Sequence, residues 1–233
     1  MGQLLPSLIG DMRLCAASCS LRACDSTSPP VSEEQTPIRR LTAIRAVIFL
    51  RNLRFIMGDM LDLPFDGRSD MVSSNTGLHW VSDHGRAFSG IARALRPGGR
   101  ALLQMGGRGN AAPILELADE MLAEEPWTTF SSIRPSRYAF YGPDEEHELL
   151  EAAGLTPVRV ELIGKDMAFD NPDGLAGWIR TTWHLYLDRL PEEVRPAFIA
   201  GLTARYVERS PSQDGRIHVL MVRLEVEAVK KVE

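Results

Sequence analysis

From Leu53 onward the chain alternates short apolar runs with helix-length segments, and that alternation restricts its fold more than any other feature. Apolar runs lie at 53–57 (LRFIM), 69–74 (SDMVSS), 100–105, 156–163 and 215–229, and between them fall segments with helical spacing at 83–95, 113–125, 144–153, 175–187 and 192–208. Strands separated by crossovers of that length cannot pair as hairpins, so the economical solution is a largely parallel sheet with helices on both faces. Punctuation agrees with this division. Pro113 stands near the start of one helix, Gly154 follows the end of another, and Arg96-Pro97-Gly98-Gly99 reads as a turn into the strand at Arg100.

Composition removes several function classes. The 233 residues carry 26 Lys+Arg against 31 Asp+Glu, a formal charge of −5, which disfavours nucleic acid as a partner. No run approaches the apolar length of a membrane span, and the N-terminus lacks the basic start of a secretory signal, so the expected location is cytoplasmic. All three cysteines (Cys15, Cys19 and Cys24) fall in the first 24 residues at spacings unlike a zinc knuckle, and no metal site is expected. Residues 26–37 (STSPPVSEEQTP) have the composition of a linker, whereas 38–50 has helical spacing, although its end could equally be a buried strand. The expected division is an atypical N-terminal segment, 1–52, and an α/β domain, 53–233.

Three stretches then carry a resemblance. GDMLDLPF (58–65), SDMVSSNTGLHWVSD (69–83) and LRPGGRALLQM (95–105) resemble successive pieces of the class I S-adenosylmethionine-dependent methyltransferases. Asn110, GWIRTT (177–182) and the final strand are similar to the trans-aconitate 2-methyltransferase branch. The resemblance implies a Rossmann-like methyltransferase sheet, mostly parallel with a C-terminal antiparallel strand, and helical lid elements at about 126–143 and 170–210. It also implies S-adenosyl-L-methionine as cofactor and a small-molecule acceptor, with an anionic carboxylate as one candidate. The competing reading is a catalytically impaired binding protein on the same fold.

The resemblance and the residues themselves point to the same positions. Ligands of open α/β sheets bind outside the carboxyl ends of the strands. Gly58, Asp59 and Met60 would sit there: a carboxylate can accept from an exocyclic amine while the next N–H donates to a ring nitrogen, a pairing suited to adenine. The competing role for Asp59 is capping its own turn. Asn75, just past a strand, and Trp80 would also line the cofactor, and the i, i+4 spacing places Trp80 and His84 on one helical face. His84 is the candidate general base, although a carboxylate acceptor needs none. Arg137, Tyr138, Trp178 and Arg180 mix aromatic and cationic character, which suits an anionic substrate under a lid. Arg134, Tyr141, Trp183 and His184 extend that mixture.

One expected motif is missing. The family has a glycine-rich loop after its first strand, where backbone N–H groups approach the cofactor. Here no glycine occurs between Gly10 and Gly58, and the cysteines occupy the place where that loop is expected. A diverged loop, a silent protein, or an out-of-frame copy of the first strand-helix-strand unit over 13–51 would each leave this pattern.

Overall fold

The computed structural model describes residues 14–17, 56, 58–130, 138–211 and 214–232, with 14–17 described for backbone only. The expected strand at 53–57 and the element at 38–50 lie outside these residues, except for Ile56, which is exposed and extends no strand.

Five strands form one sheet: β1 (Leu14–Ala17), β2 (Ser69–Asn75), β3 (Leu95–Gly106), β4 (Leu155–Phe169) and β5 (Ile217–Lys230), in the order β1-β2-β3-β5-β4. β1 pairs parallel with β2, and β2 with β3, while β5 runs antiparallel to both β3 and β4. Four strands therefore point one way and the last strand of the chain points the other. This is the Rossmann-like α/β arrangement expected. Arg96 to Gly99 forms a bulge inside β3 rather than a turn before it: the register with β2 jumps between Ser69↔Leu95 and Met71↔Arg100. Gly98 takes φ +74°, and a Cβ on Gly99 would stand 2.9 Å from the Arg96 carbonyl, so the bulge requires glycine at both positions.

Six helices accompany the sheet among the described residues: α1 (His84–Ala94), α2 (Ala112–Leu122), α3 (Pro143–Ala152), α4 (Pro172–Thr182), α5 (His184–Leu187) and α6 (Arg195–Arg209). Asp83 caps α1 by accepting from the Arg86 N–H at 2.8 Å, and α1 buries Ala87, Phe88 and Ile91 at helical spacing. With α3 it covers the sheet face formed by Val72, Leu103, Met105, Leu224, Val226 and Ala228. Residues alternate along β5, so Ile217 and Val219 face the opposite side, where they join α2, α4 and α6 in a second core around Leu117, Met121, Ile179, Phe198 and Leu202. Full burial of a side chain such as Phe88 or Phe198 contributes about 2–3 kcal/mol.

The helix expected at 175–187 is broken. Trp183, with φ −93° and ψ 45°, ends α4 and precedes α5, and its ring is buried among Tyr138, Trp178 and Tyr186. Tertiary burial of a large indole overrides the local helical spacing there. The next helix starts at Arg195, three residues later than its spacing suggested, with Pro196 in its first turn. No helix of the described residues is long and apolar enough to cross a membrane, and no group of three or more potential metal ligands occurs among them.

Candidate functional site

The exits of β2 and β3 build the site. After Asn75 the chain turns sharply, with Thr76 in the left-handed region (φ 55°) and Gly77 buried, into a short 3-10 turn, Leu78–Trp80. That turn brings His79 and Trp80 over the carboxyl ends of the parallel strands. The segment 138–142 crosses back above them, held by the Ala139 N–H donating to the His79 carbonyl at 2.9 Å.

His79 is the centre of the arrangement. The Gly106 N–H, at the end of β3, donates to Nδ1 of His79 at 3.2 Å, so the neutral ring carries its proton on Nε2. Burial, with a smaller contribution from His84, lowers its pKa from 6.5 to about 4. Nε2 makes no hydrogen bond to the described residues and is a donor ready for a ligand. Aromatic rings surround it: Trp80 at 5.4 Å, with Tyr138 and Phe140 each at 6.0 Å between centroids. Tyr138 stacks on Phe140 and meets Trp80 edge-on at 5.0 Å, while its hydroxyl donates to the Thr182 carbonyl. Beside this cluster an open cleft of about 280 Å³ is lined by Ser82, Tyr138, Phe140, Tyr141 and Glu145.

His84, the base candidate, is placed otherwise. It is fully buried, with Nδ1 2.6 Å from Glu146 Oε1 and Nε2 3.0 Å from the Leu78 carbonyl. That carbonyl can only accept, so Nε2 is committed as a donor and Nδ1 to the carboxyl of Glu146. No ring nitrogen remains to take a proton from a substrate. Trp80 and His84 also share no face, because the 3-10 turn ends at Trp80 and α1 begins only at His84. Trp80 turns toward Tyr138, and His84 turns beneath Tyr141, 4.4 Å between ring centroids.

The other candidates divide. Asp59 is exposed and its Oδ1 accepts from the Leu61 N–H at 2.9 Å, which is the turn-capping role, while Oδ2 has no described partner. Gly58 is exposed and the Met60 side chain is in the core. Asn75 is exposed at the tip of β2, opposite Gln104 of β3. Tyr138 belongs to the aromatic cluster, and Trp178 reaches it through Trp183. Arg180 is exposed on α4, and Arg137 lies outside the described residues. Asn110 anchors the loop after β3 to β5 by accepting from the Val222 N–H at 2.9 Å.

Sequence reasoning missed His79. Its only local signal was its position beside Trp80, since the residues that define its role, Gly106, Tyr138 and Phe140, are 27 to 61 positions away.

In comparison with known proteins the chain is similar to methyltransferases. A methyltransferase-domain family model matches residues 14–103, from β1 through most of β3. Trans-aconitate 2-methyltransferase of Methylobacterium nodulans is 28% identical over 178 residues, 75% of this chain and 68% of that protein. Juvenile hormone acid O-methyltransferase of Drosophila melanogaster is 26% identical over 147 residues, 60% of this chain and 48% of that protein. Among solved structures, a loganic acid methyltransferase with SAH superposes with a TM-score of 0.63 at 13% identity, covering 83% of this chain and 71% of that one, a likeness of fold.

Proposed function

We propose that this chain, a class I S-adenosylmethionine-dependent methyltransferase related to the trans-aconitate 2-methyltransferases, transfers a methyl group to a carboxylate of a small organic acid. The observation that carries this reading is His79: a neutral imidazole, fixed by Gly106, offering Nε2–H among aromatic rings at the carboxyl ends of β2 and β3. The relatives add support from their acceptors, since their names specify trans-aconitate and juvenile hormone acid.

The residues suit the cofactor at two points. Asp59 keeps one carboxylate oxygen free for an exocyclic amine, and Asn75 presents an exposed amide at the tip of β2. Gly58 and the Met60 backbone would flank the adenine, and Trp80 would cover the cofactor's edge toward Tyr138. When bound, S-adenosylmethionine supplies an electrophilic methyl on a sulfonium.

The protein's own contribution is alignment and water exclusion. Transfer of that methyl to a carboxylate oxygen would give a methyl ester and S-adenosylhomocysteine without moving a proton. That chemistry requires no base, which is consistent with the commitment of both His84 nitrogens. It requires a donor to hold one carboxylate oxygen while the other attacks, and Nε2–H of His79 has that character. Tyr138, Trp178 and Arg180 would close over the acid.

Isothermal titration with S-adenosylhomocysteine tests the cofactor half. Saturable binding supports the reading, and no binding at high micromolar ligand would favour the impaired-protein alternative.

A further inference from the structure

β4 is the last strand of the sheet, paired with β5 on one side and with no described residue on the other. An edge of this kind exposes every second backbone N–H and C=O, and proline, bulges or charge usually blunt it. Here Pro157 and the irregularity between Pro157 and Arg159 stand at the start of the strand, whereas Val160 to Phe169 pair with β5 without interruption.

One face of this regular edge is apolar. Leu162, opposite Leu224, and Leu220, opposite Asp166, lie on the same sheet face as Gly164 and are 37% and 55% exposed. A Cβ on Gly164 would meet nothing within 4 Å, so an open notch stands beside an exposed leucine. The other face carries Glu161, Ile163 and Lys165. Glu161 and Lys165 are exposed, Glu161 pairs with Arg159 at 2.7 Å, and Lys165 makes no ion pair with the described residues.

A second copy fits this edge in one register. Antiparallel pairing about a two-fold axis opposes residues of the same face. With Ile163 on the axis, Glu161 of each copy stands opposite Lys165 of the other, twice by symmetry, and Leu162 stands opposite the notch at Gly164. Neighbouring registers are worse. An axis at Leu162 opposes Arg159 to Lys165, one at Glu161 opposes that carboxylate to itself, and one at Gly164 opposes Leu162 to Asp166. An axis at Val160 opposes Arg159 to Glu161 but draws Pro157 and the irregularity beside it into the pairing.

We propose that the β4 edge is the interface for a second copy of this chain, paired antiparallel about Ile163 into one sheet that continues across the dimer. This pairing is independent of the acid-methylating reading above. Lys165 alone would guard an edge against pairing; opposite Glu161 of a second copy it attracts instead. Leu162 also reaches back over Gly107, which has no side chain to obstruct it, so the contact lies next to Gly106, the donor to His79.

Sedimentation equilibrium of the full chain at low salt tests the interface. The wild-type chain is expected at twice the monomer mass at tens of micromolar. Glu161→Lys and Lys165→Glu each set like charges opposite one another at both rungs and should raise the dimer dissociation constant about tenfold or more. Both side chains are exposed, so melting temperatures should stay near wild type. Mixing the two variants opposes unlike charges again, and the mixture should form a heterodimer at concentrations where neither variant dimerises alone. Gly164→Val fills the notch and should also weaken the dimer. A monomeric wild-type chain overturns the interface, as does a dimer that all three variants leave intact, or a mixture of the two charge variants that stays monomeric.

Discussion

The Gly106 N–H donates to Nδ1 of His79 across 3.2 Å, joining the end of β3 to the turn after β2. One bond between two strand exits therefore sets the tautomer of the imidazole at the proposed reaction centre. Gly106 also leaves no room for a side chain, since a Cβ there would stand 2.6 Å from the Phe140 ring.

His79→Phe keeps an aromatic ring and removes the donor. It should lower kcat/KM for a small acid by about ten- to a hundredfold, the range for losing a hydrogen bond to a charged group, with a melting temperature near wild type. Steady-state kinetics measure this, and a change below twofold would remove His79 from the site.

The same residue sets a pH dependence. Its folded pKa of about 4 lies below the 6.5 of the unfolded chain, so between those values the unfolded state binds the extra proton. Stability is therefore fullest above pH 6.5 and falls as pH drops toward 4, by roughly 3 kcal/mol from this residue. Denaturant unfolding of His79→Phe and wild-type protein across that range should show the slope shrinking in the variant.

His218 titrates in the opposite sense. Hydrogen bonds to Asp214 and Asp166 raise its pKa above 6.5, so its contribution is present below pH 6.5 and lost as pH rises through the folded value. Proton NMR should find the His218 signal titrating above that of an unfolded histidine, and Asp166→Asn should move it down.

His84 and Glu146 form a buried clasp between α1 and α3. Glu146→Ala leaves the imidazole without its carboxyl partner and should cost about 3–5 kcal/mol of stability, while kcat of the folded fraction changes little. A kcat loss of several orders of magnitude at unchanged stability would restore His84 as a base.

The sequence revealed the fold where local signals and tertiary packing coincide. Pro113 at the start of α2, Gly154 just past the end of α3 and the apolar run that forms β5 each matched the structure within a few residues. It misled where tertiary contact decided the outcome. Trp183 breaks a helically spaced run to bury its ring, the bulge at Gly98–Gly99 keeps a turn-like sequence inside β3, and His84 bonds a glutamate 62 positions away. The site was legible as a place at the strand ends; the exchange of His84 for His79 was not, because it depends on which way a three-residue turn faces each ring.

Asp59 separates two roles within one side chain. Asp59→Asn keeps an oxygen for the Leu61 N–H and removes the charge, so it should preserve stability while weakening S-adenosylhomocysteine binding about tenfold. Calorimetric titration measures this, and unchanged affinity would leave Asp59 a turn cap alone.

The most direct test incubates the full chain with S-adenosylmethionine and a panel of small mono-, di- and tricarboxylic acids including trans-aconitate, with mass spectrometry reading the products. The account predicts a methyl ester of at least one acid together with a matching amount of S-adenosylhomocysteine. No methyl ester from any acid, with the chain folded and the cofactor bound, would contradict it.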